Sequence, residues 1–457
     1  MTGGDSRPVA PVVDGRANQQ PWPSRGAAYY ALTIVILATL LNFFDAQVFS
    51  MMAQRIKIDF NLDDEKLGFL IGPANVIFYV LIGIPLARLV DIYPRKIVLA
   101  CGMATISCIT VLGGLAQSFK QLFSSRMLVG AGGSAHAPGA YSILADLFPP
   151  LKLPRAIGFL QLGFIGGNAL GYFLGGTLIS LAGTWPVSHW MGLTMHGWQW
   201  ILMMVGAPGL LIAVLLLFIR EPARRGIITP GKALPVSAAL HEIYTRRTIY
   251  LPLFIGLACS AAEFLGMQGW RAPFLIRTYG WDIAKIGHWM GLTFLVSSLI
   301  GAALGTLFVE RLSKRYKDAN VRATAILFTL MVPFEIAAPM MPSGELSLLC
   351  TFMVGVFGIA AAVPQNAAIQ RITPNAMRGQ VTAIYLFMFI VFGALGSQLA
   401  GSVTKRVFHS DADLWKSMVL IASILMPLAA YSISRGIKPY GREEERLAAL
   451  EAAGSGT

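Results

Sequence analysis

Apolar residues occur along the chain in long runs, and short segments rich in Gly, Pro, Lys and Arg separate these runs. About 20 apolar residues are enough for a helix to cross the hydrocarbon core of a bilayer. Strands of a membrane β-barrel are only about 10 residues long, so the runs exclude that fold. The pattern predicts an all-α membrane protein. Its twelve spans, numbered one to twelve, are predicted at residues 29–52, 67–89, 97–117, 121–147, 155–182, 198–219, 250–276, 284–309, 321–341, 345–370, 379–404 and 414–436.

The basic residues between the spans predict the orientation in the membrane. If the N-terminus is cytoplasmic, the cytoplasmic segments hold 25 of the 36 Lys and Arg residues and the external segments hold 10. Cytoplasmic loops of membrane proteins carry such an excess of positive charge. We therefore expect a multi-pass protein of the plasma membrane with both termini in the cytoplasm.

The longest connection between spans predicts a division into two halves. It joins spans six and seven and is rich in basic residues and proline. Residues 81–89 of span two also resemble residues 299–307 of span eight, as a parallel repeat of six spans requires. The predicted organisation is a disordered cytoplasmic N-terminus at 1–27, a six-helix bundle at 28–220, a cytoplasmic linker at 221–249, a second six-helix bundle at 250–437 and a cytoplasmic tail at 438–457.

Composition and motifs exclude several other functions. Of the residues, 55% are hydrophobic and 13% are charged, against about 25% charged in soluble proteins. The formal charge of +13 is spread over short loops, which is a topology signal and not a nucleic-acid-binding surface. No Gly-x-x-x-x-Gly-Lys-Ser/Thr loop for ATP and no Cys/His cluster for a metal occurs. We expect no cofactor, no metal and no nucleic-acid partner.

A loop motif carries a resemblance to a known family. Residues 87–96 read Ala-Arg-Leu-Val-Asp-Ile-Tyr-Pro-Arg-Lys. This sequence resembles the Gly-Arg-Leu-Ala-Asp-Arg-x-x-Arg-Arg motif of the major facilitator superfamily, with Ala87 and Ile92 as departures. The resemblance implies the twelve-helix major facilitator fold. It also implies a cytoplasmic gate formed by Asp91 and Arg95, with Arg88 in the same motif; the alternative is a plain positive-inside anchor.

Further motifs are similar to those of bacterial spinster-like transporters. They are Asn-Phe-Phe-Asp at 42–45, Ile-Lys-x-Asp-Phe at 56–60, Ala-Asp-Leu-Phe-Pro-Pro at 145–150 and Phe-Leu-x-Arg-Thr-Tyr-Gly at 274–280. That group typically has Arg after the acid of span one and often has Glu in span four. Ala46 and Gly133 stand at those positions here. Both changes remove charges that the resemblance links to proton coupling.

Two charges in the first half are candidates for a solute site. Asp45 and Arg126 each lie about five residues inside the external ends of spans one and four, so both should lie roughly 8–10 Å deep. We expect them to face each other, together with Asn42, and to separate when a solute anion binds Arg126. A purely structural ion pair is the alternative. His136 is a candidate replacement proton site, and a hydrogen-bonded packing histidine is its alternative.

The second half offers a separate set of polar residues. Glu263 lies in the middle of span seven, where a charge is expensive unless it serves a function, and a structural hydrogen bond is the alternative. Gln268 follows toward the external side, and Asn366 lies after a proline in span ten. Glu335, beside Pro333 in span nine, is expected to support a kink or to face a neighbouring helix.

These observations together predict a secondary active transporter. We expect alternating access for a small organic solute, anionic or amphiphilic, with protons as the candidate coupling ion. Ala46 and Gly133 keep an uncoupled facilitator or exchanger open as a second hypothesis. A non-transporting sensor or scaffold and a membrane enzyme are hypotheses of other classes. The expected partners are the solute, protons and the lipid bilayer, and we expect a monomer.

Overall fold

A computed structural model describes residues 22–190, 192–224, 236–374 and 377–454. The predicted disorder of the N-terminus therefore falls mostly outside the described residues, as do residues 225–235 of the predicted linker. The helices and strands of the first half are α1 Arg25–Asp59, α2 Asp64–Ile71, α3 Pro73–Ile92, α4 Arg95–Gly113, α5 Phe119–Gly133, α6 His136–Leu147, α7 Leu153–Ala182, β1 Ser188–Trp190, β2 Leu193–Met195 and α8 Gly197–Leu217.

The second half begins after the connection between spans six and seven, which contains one described helix, α9 Val236–Thr245. The helices that follow are α10 Arg247–Gln268, α11 Arg271–Tyr279, α12 Ile283–Ser313, α13 Ala319–Ala337, α14 Gly344–Ile372, α15 Arg378–Val403 and α16 Leu414–Gly454. Helix α16 continues well beyond span twelve, so the described part of the predicted tail is an extension of that span.

The described residues contain eleven helices that are long and apolar enough to cross a membrane. The predicted fourth span coincides with two shorter consecutive helices, α5 and α6, which brings the total to the twelve spans of the predicted fold. The break falls at Ser134 and Ala135, just before Pro138. Proline lacks an N–H and its ring clashes with the carbonyl four residues earlier, here that of Ser134. Pro273 explains the break at Gly269 in span seven in the same way.

The two halves meet along two pairs of spans, five with eight and two with eleven. We call the face that holds the loops after odd-numbered spans the distal face, and the opposite one the termini face. Glycines allow close approach near the distal face. A Cβ built on Gly176 would lie 2.8 Å from the Cα of Gly287, and one built on Gly68 would lie 2.8 Å from the carbonyl oxygen of Ser397.

The buried apolar residues show which face is closed. One large cluster near the distal face joins both halves and includes Met52 of span one, Leu70 of span two, Trp270 and Ile286 of the second half. Toward the termini face the main buried clusters belong to single halves. One is formed by spans one, three, four, five and six, and the other by spans seven, nine, ten, eleven and twelve. The halves are therefore packed together at the distal face and separate toward the termini face.

Span five packs closely against span one through glycines spaced four residues apart. A Cβ built on Gly163 would lie 2.8 Å from the carbonyl oxygen of Ile36, and one built on Gly171 would lie 2.6 Å from the Cβ of Gln47. Small residues at this spacing let helix backbones approach in the membrane.

Replacing Gly171 with Leu is expected to lower the Tm and to stall transport. The new side chain must push the two spans apart, and overpacking of this kind typically costs about 1–3 kcal/mol. Gly158→Leu is a matched control on the same helix, because a Cβ built there meets nothing within 4 Å. Thermal unfolding and flux should change in the first variant and stay near the wild-type values in the second. Equal behaviour of the two variants would contradict tight packing at Gly171.

Candidate functional site

Asp45 and Arg126 form a buried ion pair between spans one and four. Arg126 Nη1 lies 3.4 Å from Asp45 Oδ2, and the two residues are 3% and 5% exposed. Arg126 Nη2 lies 3.4 Å from the Thr110 hydroxyl of span three, and its guanidinium lies 4.4 Å from the centre of the Phe49 ring. The side chains that hold Arg126 therefore come from spans one and three.

The pair keeps unused hydrogen-bonding capacity. Asp45 Oδ1 and Arg126 Nε are buried and have no hydrogen-bond partner. The contact of 3.4 Å is also longer than the 2.7–2.9 Å of a strong charge-assisted hydrogen bond. A pair this loosely joined leaves donors available to a second anion, which is the property that a binding site for an anionic group needs.

Asn42 and Gly133 lie beside this pair on the termini side. A Cβ built on Gly133 would have one neighbour within 4 Å, the Asn42 amide oxygen at 3.8 Å. Space is therefore open at the position where related transporters often have Glu. His136 Nε2 lies 2.8 Å from the Thr39 hydroxyl and is buried. This contact is the hydrogen-bonded packing arrangement that was the alternative to a proton site.

Glu263 lies in a buried charged cluster of the second half. It is 2% exposed and adjoins Glu335 of span nine, which is 4% exposed. Glu335 Oε1 accepts a hydrogen bond from Arg271 Nη2 at 3.1 Å, and Arg271 Nη1 donates to the Thr351 hydroxyl at 3.0 Å. Glu335 therefore faces a neighbouring helix, which was one of its two predicted roles.

Two further predicted residues lie in different settings. The Gln268 amide nitrogen lies 3.3 Å from the Gln47 amide oxygen, a contact between the halves just inside the distal cluster. Tyr172 of span five adjoins both amides. Asn366 is exposed and donates to the Ala362 carbonyl oxygen of its own helix at 2.9 Å. The structure therefore brings Gln268 to the centre but does not join Asn366 to the other candidates.

A network of ion pairs crosses between the halves at the distal face. Arg277 donates from Nη1 and Nη2 to the Asp64 carboxylate at 2.7 and 2.9 Å. Lys57 bonds Asp64 at 2.5 Å and also bonds Asp411 of the second half. Two more ion pairs cross between the halves beside these residues. They are Arg406 with Glu65 and Lys405 with Asp63. We call all of these cross-half contacts together the distal network.

Asp411 of the distal network has a pKa below its ordinary value. Partial burial alone would raise the pKa of Asp411, but the hydrogen bond and charge of Lys57 and the charge of Arg277 lower it below its usual value. A lowered pKa in the closed state means that the stabilising contribution is present above the ordinary pKa of Asp and is lost as the pH falls through the lowered one. A change of pH between about 5 and 8 therefore does not protonate Asp411 or break its ion pair with Lys57.

The residues of the predicted cytoplasmic gate lie at the termini face. Arg95 is buried and bonds Asp146 at 2.5 Å and Glu221 at 3.0 Å, both in its own half. The side chain of Asp91 lies outside the described residues, and Arg88 is exposed. In the second half, Arg246 and Arg371 pair with the helical tail of span twelve. Their partners are Glu443 at 2.9 Å and Glu444 at 2.6 Å.

Sequence reasoning missed several residues that complete these clusters. Thr110 and Phe49 contact Arg126 but belong to apolar runs without any polar pattern. Lys57 and Arg277 were counted only as charges of external loops. The motifs that contain them, at 56–60 and 274–280, were the available signal, because each places a base at the distal end of a span, one in each half.

Comparison with known proteins identifies the family. The model described as Major Facilitator Superfamily matches residues 35–397 of the chain. The chain belongs to the major facilitator superfamily. It is 26% identical over 384 residues to an "MFS-type efflux pump" of Mycolicibacterium smegmatis, covering 83% of this chain and 85% of that protein.

Spinster proteins are among the relatives of this superfamily member. It is 26% identical over 319 residues to "Protein spinster homolog 1" of Xenopus laevis, which covers 66% of this chain and 58% of that protein. A crystal structure of a bacterial homologue of human Spinster, "in Inward-facing And Unoccupied Conformation", superposes with a TM-score of 0.74 at 23% identity, over 93% of this chain and 98% of that one. The chain is therefore a multi-pass membrane transporter of the major facilitator fold that resembles spinster-like members.

Proposed function

We propose that this transporter moves a small anionic or amphiphilic organic solute across the plasma membrane by alternating access. The termini face lies in the cytoplasm, so the structure is closed to the outside and open to the inside. The solute binds between the halves, beneath the distal cluster. The chain works as a secondary transporter without a cofactor, in lipid and as a monomer.

The observation that carries this proposal is the buried pair of Arg126 and Asp45. A guanidinium in a membrane-spanning bundle is costly unless it faces a partner or a cavity. Here the Arg126–Asp45 contact is long, and each residue has a buried atom without a hydrogen-bond partner. A Cβ built on the nearby Gly133 would have one neighbour within 4 Å, the Asn42 amide oxygen. An anionic group of the solute would replace Asp45 as the partner of Arg126. The apolar composition of the spans that carry the pair favours an amphiphile.

The proposed direction of opening has independent support. The cross-half ion pairs of the distal network and the shared apolar cluster both lie at one face. The bacterial spinster homologue with which the chain superposes is in an inward-facing conformation. The excess of Lys and Arg in the segments of the termini face favours the cytoplasm for that face.

Proton coupling is the proposed energy source, and an uncoupled facilitator or exchanger is the second candidate. Asp45 is available to bind a proton when an anion takes its partner. Gly133 favours the second candidate, because its position offers space and no carboxylate.

The experiment begins with a ligand-stabilisation screen of anionic and amphiphilic compounds on purified protein, followed by flux of the hits into proteoliposomes. We expect the flux of an anionic hit to fall when the pH gradient is collapsed. Unchanged flux would establish the facilitator. A protein that binds its hits but moves none of them would instead be a sensor or scaffold, and transport would be refuted.

A further inference from the structure

The charges of the buried cluster around Glu263 do not balance. Glu263 and Glu335 lie side by side, and Arg271 is the base that bonds one of them. Two carboxylates and one guanidinium leave one net negative charge among apolar side chains. The apolar neighbours include Met331 and Phe334 of span nine, with Val354 and Phe357 of span ten and Met426 of span twelve.

The other polar groups around this cluster do not supply a second positive charge. Thr351 of span ten bonds Arg271, and Tyr172 and Gln268 lie on the side of Arg271 that faces the first half. Span eleven packs on span seven through the small residues Gly393 and Gly396. Within the described parts of the chain, Arg271 is therefore the charged group that acts on the two acids.

The geometry of the carboxyl oxygens shows what is missing. Glu335 Oε1 has its donor in Arg271, whereas Glu335 Oε2 and Glu263 Oε2 are both buried without a hydrogen-bond partner. Two adjacent carboxylates are acceptors only, so neither can satisfy the other. A single proton held between them would provide the missing donor and would also neutralise the net charge.

A small pocket lies beside the cluster, on the side of Arg271 toward the distal face. A pocket of about 10 Å³, close to the space that one water molecule needs, adjoins Arg271. It is lined on its polar side by Ser347 and Thr351 and on its other side by Ala338, Pro339 and Met418, where spans nine, ten and twelve approach their distal ends. Water in this pocket would connect the cluster to the distal face.

We propose that Glu263 and Glu335 form a binding site for one proton, which reaches the pair from the distal face past Arg271. This site belongs to the second half and is separate from Asp45 and Arg126. It rests on the proposed function and extends it. The transporter gains a second ionisable group, which takes up its proton from the distal face.

The test is infrared difference spectroscopy of the purified full-length protein during a pH titration, without any solute. The wild type should show a protonated-carboxyl band that is lost as the pH rises, because the proton shared by the pair dissociates. Glu263→Gln and Glu335→Gln should each remove or strongly shift this band. Glu345→Gln is the matched control, because that carboxyl is exposed at the distal face and pairs with Lys285.

The band can be read independently of transport. A titrating band that both variants remove, in a protein that shows no flux, would leave this site standing and would refute the proposed function. A band that survives in both variants would overturn the site, as would a wild type without a titrating band. A sodium site is the remaining alternative. It would be shown if, at constant pH, sodium chloride raised the Tm of the wild type but not of the variants, and choline chloride raised neither. That result would overturn the proposed proton site.

Discussion

Arg126→Gln is expected to abolish solute flux, by about 100-fold or more, and to lower the Tm. Truncating one partner of a buried ion pair leaves the other charge uncompensated and typically costs about 3–5 kcal/mol. Asp45 would be that charge, since it is 5% exposed and its Oδ1 already lacks a donor. The loss of flux has a separate cause, because the anionic group of the solute would lose its guanidinium partner.

The double variant Asp45→Asn with Arg126→Gln separates the two causes. It removes both charges, so the Tm should return toward the wild-type value. Flux should stay lost, because the solute still has no cationic partner. A double variant that transports at the wild-type rate would show that the pair is only structural. Asp45→Asn alone should alter the pH dependence of transport, and an unchanged pH profile would end the proposal that Asp45 takes part in coupling.

Arg277→Ala is expected to shift the molecule away from the distal-closed conformation. Asp64 is fully buried in this conformation, and Arg277 supplies two of its hydrogen bonds across the halves. The variant loses two charge-assisted hydrogen bonds of the closed state while Lys57 keeps its bond to Asp64, so we expect a cost to that state of about 3 kcal/mol. Since each 1.4 kcal/mol is a factor of about ten in an equilibrium constant, the open state should gain about 100-fold or more.

A cysteine just inside the distal network reports this shift. Gln47→Cys is buried in the closed state, so a membrane-impermeant thiol reagent applied to the distal face should react slowly. Adding Arg277→Ala should raise the labelling rate at least about tenfold. Lys285→Ala is the matched control at the same face, because its ion pair with Glu345 lies within the second half. Equal labelling rates with and without Arg277 would contradict a gating role for the network.

The sequence was sufficient to predict the spans and the fold class. Apolar length and the distribution of basic residues are local properties, and the bilayer imposes both. Helix rise per residue predicts that Asp45 and Arg126 lie at the same depth in the membrane. In the structure Arg126 Nη1 lies 3.4 Å from Asp45 Oδ2. The role of the pair in binding stays a prediction.

Contacts between distant parts of the chain could not be predicted in the same way. Lys57 and Asp411 are separated by 354 positions in the sequence, and Arg271 and Glu335 are separated by 64 positions. Which side chains converge depends on how the helices rotate about their axes and on how the halves close. A pattern read along one helix gives neither quantity. The span-four break is a local exception, since Pro138 was visible in the sequence and accounts for it.

Alternating access requires that the two halves separate at the distal face during transport. Glu65→Cys with Arg406→Cys places thiols on opposite halves at that face, and Lys285→Cys with Glu345→Cys places them on one half. Both pairs would be made in a background in which the four native cysteines are replaced, and joined by the same short, reducible bifunctional reagent in proteoliposomes. We expect the cross-half link to stop flux until it is reduced, and the link within one half to leave flux unchanged. Undiminished flux through the cross-half-linked protein would contradict alternating access.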